Sequence, residues 1–205
     1  MSRRAAAPEA TPRADPRQAL LDAAERLLVE VGYAGITTRG LAAEAGVNHG
    51  LVHYYFGSME NLFAETLERY TVRLVERQRA LYGADVPFID KWRTAMWYLD
   101  QDLGSGYQKV WLELQAMAWN RPELRSRVAA VNREWRAVLT EAFGRAMQEY
   151  GMDGATFGVD AIVSLVMTFN QGLILERHSG IFDGHQELLA AIDLWLQGLD
   201  EGRRS

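Results

Sequence analysis

The stretch ITTRGLAAEAGVNHGLVHYYFGSMENLF, residues 36–63, constrains the fold more than any other part of the chain. Thr37 or Thr38 precedes Leu41, Ala42 and Ala45 at helical spacing, so a threonine hydroxyl can accept the free N–H groups that open a short helix through Ala45. Gly46 stops that helix, Asn48 is suited to cap a third reaching about Tyr55, and Ser58 can cap a longer fourth. Short helices with a glycine turn between the second and third predict a helix-turn-helix. Val47, Val52 and Phe56 belong to its interior, and Leu51 suits either the core or an apolar contact on the working face. Packing gives no reason for His49, His53 and Tyr54, and Tyr55 fits a core rim. The run therefore alternates between core and working face.

The remaining punctuation is helical, and no alternating run is bounded by hairpin turns, so the fold class is all-α with about nine helices. Asp15-Pro16-Arg17-Gln18 opens the first, with Asp15 as cap, Pro16 at the first helical position and Gln18 completing a capping box. Leu20, Ala24, Leu27, Leu28 and Val31 form its apolar face, and Gly32 ends it. The fourth helix carries Phe63, Leu67, Tyr70, Leu74 and Leu81 on one stripe and ends near Gly83. Further helices are expected at about 88–103, 107–119, 122–150, 156–177 and 186–199, separated by GSG, NRP, GMDG and SGIFDG.

The 205 residues contain no cysteine, which excludes disulfides, thiolate zinc sites and a cysteine nucleophile and points to the cytoplasm. The first 14 residues read as a disordered tail, since the arginines at its start precede Pro, Glu and Thr rather than an apolar core. The run 155–175 has the length of a spanning helix, roughly 20 residues. Asp160, Asn170 and Gln171 interrupt it, which favours a helix buried between protein neighbours over a membrane location. The net charge of −5 lies wholly beyond residue 82, because residues 1–82 hold 10 Arg against 10 Asp plus Glu. The acid excess leaves the N-terminal part free to meet phosphate through a local patch.

Leu124, Val128, Val131, Trp135, Val138 and Ala142 alternate by four and three, giving helix 122–150 one continuous seam. Helix 156–177 is apolar on two faces, with Ile162, Val166, Phe169 and Leu173 on one and Ala161, Leu165 and Gly172 on another. The last helix offers Leu188, Ile192, Trp195 and Leu199. Ile162, Val166, Phe169, Leu173 and these four are expected to form a subunit contact. Glu176, His178, Asp183 and His185 share a glycine-rich loop without ligand-pair geometry, and no activated nucleophile can be assembled. No enzyme activity, metal or cofactor is expected.

With these residues in hand, the segment Ile36–Phe63 resembles the DNA-binding motif of tetracycline-repressor-like regulators of the TetR/AcrR family. The threonine cap, Ala-Gly-Val turn, small polar cap, Gly-Leu-Val-aromatic run and Phe-Gly-Ser all stand at that family's spacings, and with the first helix the likeness covers about residues 17–67. The resemblance implies a bacterial homodimeric transcriptional regulator, most often a repressor. Residues 15–57 would form the DNA-binding domain (motif 37–56), 58–82 the connecting helix and 83–205 the ligand-binding and dimerisation domain. Asn48 to Tyr55 would enter the major groove of a palindromic double-stranded operator, at half-sites about one helical turn (~34 Å) apart.

The implied DNA contacts are Thr37, Thr38, Arg39, Asn48, His49, Gly50, Leu51, His53 and Tyr54. The family parallel also implies an effector pocket in the C-terminal part, for which Trp92, Trp97, Tyr98, Trp111, Gln115, Trp119 and Asn170 are the candidate lining. Trp111, Gln115 and Trp119 follow one another at steps of four, and aromatics with a few polar groups suit an apolar or planar small molecule. Each tryptophan fits a plain core as well. One departure stands out: the family's usual phosphate-binding lysine after Ser58 is Met59 here, and Arg3, Arg4, Arg13 or Arg39 are available to replace its charge. That departure and the acidic pI of about 5.4 support an alternative, a helical protein- or small-molecule-binding module with weak or no specific DNA binding.

Overall fold

A computed structural model describes residues 15–154 and 157–204, and within them the chain is helical with no strand. The helices are α1 (Pro16–Glu30), α2 (Thr38–Glu44), α3 (Gly50–Phe56), α4 (Met59–Gly83), α5 (Phe88–Gly104), α6 (Tyr107–Ala118), α7 (Pro122–Glu149), α8 (Val159–His178) and α9 (His185–Arg204). A one-turn 3-10 helix, Tyr33–Gly35, follows α1 and was not expected from the sequence. The expected N-terminal tail, and with it Arg3, Arg4 and Arg13, lies outside the described residues, as do Ala155 and Thr156 at the expected start of α8. α9 runs to Arg204, five residues past the expected end, because no proline or left-handed glycine interrupts it.

The caps explain most of these boundaries. Asp15 Oδ1 accepts the Arg17 N–H at 3.0 Å and Pro16 stands at the first helical position. Gln18 does not complete a capping box: its Oε1 turns to the Arg69 guanidinium at 3.3 Å. Thr37 Oγ1 caps α2 through the Gly40 N–H and Ser58 Oγ caps α4 through the Asn61 N–H, both at 3.1 Å. Ahead of α3, Asn48 Oδ1 accepts the Gly50 N–H at 2.8 Å, so the regular helix begins two residues beyond the expected cap. Gly46 makes the turn between α2 and α3 with φ 66°, a conformation that side chains with a Cβ rarely adopt.

One apolar cluster runs from the N-terminal helices into the rest of the molecule without a break. Leu20, Leu28, Leu41, Val52 and Phe63 pack into the same core as Tyr107, Trp111 and Leu114 of α6 and Val131 of α7. Val31, expected on the buried face of α1, is 51% exposed because it falls at the C-terminal cap where the chain turns out. A second cluster joins Val75 and Tyr82 of α4 to Phe88 and Trp92 of α5, Val138 and Phe143 of α7, Val163 of α8 and Leu196 of α9. On the α7 seam, Leu124, Val131, Val138 and Ala142 are buried, while Val128 and Trp135 are half-buried.

α8 departs from its sequence reading. By length and composition it could cross a membrane. It packs against α6 and α7 on one side only, with Val163, Leu173 and Ile174 buried and Leu165 and Leu175 exposed. It is therefore not buried all round, and the face bearing Ala161, Leu165 and Gly172 is the one turned outward.

Candidate nucleic-acid interface and effector cavity

Arg39, Asn48, His49, Gly50, His53 and Tyr54 form an exposed surface at the end of the molecule, with Thr37 beside them and Thr38 and Leu51 half-buried. Tyr54 is 77% exposed, and its ring meets Tyr55 edge-on at 5.0 Å, so a half-buried aromatic braces an exposed one. Thr37 and Asn48 already use a side-chain oxygen as a cap. That leaves Arg39, His49, His53 and Tyr54 as the side chains best placed to reach a polyanion, since the first N–H groups of α3 are already taken, Gly50 by Asn48 Oδ1, Leu51 by the Asn48 carbonyl and Val52 by the His49 carbonyl. Met59, at the start of α4, is half-buried and packs on the core cluster rather than projecting like a lysine.

The surface is braced from behind by ion pairs. The Arg17 guanidinium pairs with Glu65 and lies 5.5 Å from the centre of the Phe56 ring. Arg127 on α7 grips Glu68 on α4 with two contacts at 2.7 and 2.6 Å and donates to the Asn61 carbonyl oxygen at 3.2 Å. Arg121, just before α7, meets Glu60 at 2.6 Å. Its hydrogen bond, joined by one from the Glu60 backbone, holds the Glu60 carboxyl below its ordinary range.

α6 also touches α1 closely. Gly106 has φ 77°, and a Cβ there would lie 2.8 Å from Val29 Cγ2, so only glycine permits this approach. Glu113 Oε2 accepts the Tyr33 N–H at 3.1 Å, which ties the middle of α6 to the turn after α1.

The cavity lies on the far side of that helix. It has a volume of about 120 Å³ and is bounded by Gln78 and Tyr82 of α4, Trp92 and Asp102 of α5, Tyr107 and Trp111 of α6, Asn132 and Trp135 of α7, and Asn170 and Gln171 of α8. Trp92, Trp111 and Asn170 were expected here. Trp97 and Trp119 fall outside it, exposed by 57% and 74%. Trp97 projects from the outer face of α5, and Trp119 stands just past the last residue of α6, so the step-of-four pattern had no helix to continue on. Tyr98 lies under the Arg77 guanidinium at 4.1 Å, and Gln115 accepts a hydrogen bond from Gln171 Nε2 at 2.9 Å instead of lining the space.

Of the lining named above, the expected set lacked Gln78, Tyr82, Asp102, Tyr107, Asn132, Trp135 and Gln171. Signals existed for two of them, since Trp135 sits on the α7 seam and buried Gln78 interrupts the apolar stripe of α4. Burial pushes the Tyr82 phenol up to about 12 and raises Tyr107 as well, so both rings stay neutral.

A second, larger space of about 530 Å³ lies between α8 and α9. It is lined by apolar and aromatic side chains, among them Ile162, Val166, Phe169, Leu188, Ile192 and Trp195. Leu165 on its rim is 65% exposed and Trp195 55%. Leu173, expected on this face, is buried in the protein's own core, because its turn of α8 faces the neighbouring helices. Glu176 and His178, expected in a loop, belong to the last turn of α8 and His185 opens α9; His185 Nε2 lies 2.7 Å from Glu176 Oε2 across the loop between them. Among the described residues no group of three or more His, Cys, Asp or Glu could hold a metal ion.

An exposed helix-turn-helix carried on a helical body with its own cavity defines a DNA-binding regulatory protein of the helix-turn-helix class. Residues 20–66 match the family described as bacterial regulatory proteins, tetR family. The chain is 45% identical over 51 residues to the HTH-type transcriptional regulator BetI of Agrobacterium fabrum, a match covering 25% of each chain. Against the BetI of Burkholderia thailandensis, identity is 25% over 151 residues, covering 72% of this chain and 77% of that one. A transcriptional regulator of Saccharomonospora viridis, solved in complex with choline, shares the fold with a TM-score of 0.68 at 18% identity, over 90% of this chain and 93% of that one. Residues 20–66 thus match the tetR-family DNA-binding domain, and over most of its length the chain is similar to transcriptional regulators that carry it.

Proposed function

We propose that the protein is a homodimeric repressor that binds a palindromic operator and leaves it when a small molecule fills the cavity between α4 and α8. The carrying observation is that α4 and α6 serve both ends. Gln78, Tyr82, Tyr107 and Trp111 wall the cavity, while the same two helices hold the head through Glu65, Glu113 and Gly106. A ligand that spreads the cavity walls shifts the heads, and its leverage equals its preference for the spread state. The choline complex of the Saccharomonospora protein supports a body that encloses a small ligand.

In this reading residues 15–57 are the DNA-binding unit, residues 58–82 the connecting helix, and the rest the effector and dimer unit. Arg39, His49, His53 and Tyr54 contact DNA, with Gly50 allowing close backbone approach and Thr37, Thr38, Asn48 and Leu51 shaping the helix that enters the groove. The outward faces of α8 and α9, with Leu165, Leu188 and Trp195 exposed, meet a second copy, which covers apolar surface too large to leave in water. The protein acts in the cytoplasm by binding alone, without catalysis or a membrane partner.

A mobility-shift titration against the DNA upstream of its own gene, over a salt series, tests this reading. Binding far tighter than to random duplex, with a steep salt dependence, is expected. Equal affinity for both DNAs would refute it.

A further inference from the structure

The polar groups around the 120 Å³ cavity fall into two sets. One is engaged within the protein: the Trp111 indole N–H donates to Gln171 Oε1 at 3.1 Å, the Trp135 indole N–H to Tyr107 Oη at 3.3 Å, and Gln171 Nε2 to Gln115 Oε1 at 2.9 Å. The other is a set of four carboxamides, Gln78 of α4, Gln108 of α6, Asn132 of α7 and Asn170 of α8, whose side chains make no hydrogen bond among the described residues. Gln78 and Gln108 are each only 8% exposed. A buried carboxamide left unmatched at both its N–H and its oxygen is costly, so four around one cavity point to a guest that both donates and accepts. Water does both, and a ligand gains by displacing it only if it reproduces those hydrogen bonds.

Charge narrows the class. Among the described residues no Lys, Arg or His lines the space, and the Asp102 carboxylate on its wall is already paired with Arg77. An anion would find no counter-charge, and a cation would find one already neutralised, so an uncharged guest loses least on entry.

Shape narrows it again. The indole N–H groups of Trp111 and Trp135 are tied back into the protein, and Leu99, Leu139, Val166 and Ile174 supply further apolar wall. A polyol needs a hydrogen bond at nearly every carbon, which such walls cannot give, whereas a flat ring with apolar faces and a polar edge matches both kinds of surface. The volume suits one ring, since an apolar cavity of about 150 Å³ admits benzene. A carboxamide pairs in bidentate fashion with a donor and an acceptor lying side by side on a heterocycle, as Asn and Gln do with adenine. We propose that the cavity takes an uncharged single-ring heterocycle of the lactam type, with a ring N–H beside a carbonyl oxygen. Its faces lie against the tryptophans. Its edge pairs with Gln78 and Asn170, whose side-chain oxygens are buried without a partner.

Calorimetric titration of the intact protein tests this with five probes. 2-Pyridone and uracil carry the lactam edge, N-methyl-2-pyridone lacks the ring N–H, choline is a cation and glucose a polyol. Both lactams are expected to bind below millimolar concentration, and N-methyl-2-pyridone, choline and glucose more than about tenfold more weakly than 2-pyridone. Gln78→Met and Asn170→Leu keep the side-chain shape and remove the amide. Each is expected to melt cooperatively, to weaken 2-pyridone and to narrow its advantage over N-methyl-2-pyridone.

No binding of either lactam at millimolar concentration would mean that water alone answers the carboxamides, and would overturn the proposal. Choline or glucose binding as tightly as 2-pyridone would overturn it on the parent protein alone. An advantage over N-methyl-2-pyridone that is unchanged in both variants would show exclusion by shape rather than hydrogen bonding, with the same result. Because the proposal rests on the cavity being the effector site, release from operator DNA is scored separately. Lactam binding without release leaves the ligand class standing and removes the effector reading, whereas release by another compound, with neither lactam bound, does the reverse.

Discussion

The two ends of the molecule use aromatic side chains in opposite ways. In the head, Tyr54 projects into solvent with Tyr55 half-buried beside it, and imidazoles flank the pair. In the body, Trp92, Tyr107 and Trp111 turn inward around a small cavity and are all but buried. Tyrosine and tryptophan each have an apolar ring and a polar tip, so the same residue types serve a flat, wet, charged surface or a dry enclosure according to which way the helix turns them. In the proposed function the head meets a partner larger than itself and the body surrounds one smaller than itself.

Their shared core is the first place to test that contrast. Phe63, 1% exposed, lies in the cluster that unites α1 to α3 with α6 and α7. Phe63→Ala should cost about 3–5 kcal/mol and lower one single unfolding transition seen by both circular dichroism and tryptophan fluorescence. Two separated transitions would mean that head and body are independent units. The surface comes second: Tyr54→Ala and His49→Ala should each weaken operator binding by about 1–3 kcal/mol while leaving ligand binding to the cavity unchanged. Parallel loss at both sites would show that these residues hold the fold rather than read DNA.

How far each end could be read from the chain follows the same division. In the head, caps and the turn act within a few residues: Thr37, Gly46, Asn48 and Ser58 each fix a local geometry, so boundaries and the exposed set were largely legible. Even there Gln18 escaped, because its partner Arg69 is distant in sequence. The cavity is assembled from five helices, and no periodicity along one of them says which face meets the others. Trp119 obeyed the spacing and still lies outside, while Gln78 and Asp102 line the cavity as polar residues that interrupt otherwise apolar faces. Leu173 and Leu165 are both apolar on α8, and only packing against α6 and α7 decides which is core.

The link between the two ends should be weaker than either. Glu113→Gln weakens the acceptor for the Tyr33 N–H without touching DNA or the cavity wall. Both affinities measured alone should hold, whereas the change in DNA affinity on adding ligand should shrink by about 0.5–2 kcal/mol. Full coupling in this variant would move the communication to α4 alone. Smaller again is Met59→Lys, which should tighten operator binding and steepen its log-log salt dependence by about one unit of slope per subunit. Because Met59 packs on the core, the variant should also melt slightly earlier, and an unchanged salt slope would place position 59 away from phosphate.

The smallest effect concerns the pair that ties the start of α4 to the start of α7. Glu60 lies in the first turn of α4, and its carboxyl is lowered first by the hydrogen bond from Arg121 and then by its own backbone, with burial opposing. A carboxyl lowered in the folded state adds stability that is fully present above its unfolded value, near 4.5, and is lost as the pH falls through the lower folded value. The stability difference between the protein and Glu60→Gln should therefore be constant at neutral pH and shrink progressively below about 4.5. Denaturant melts across an acid series read this directly. Since Arg121 is exposed, added salt should reduce the difference even at neutral pH. A difference that ignores both acid and salt would mean that Glu60 acts by packing at the helix start, leaving Arg127 and Glu68 as the ionic tie between α7 and α4.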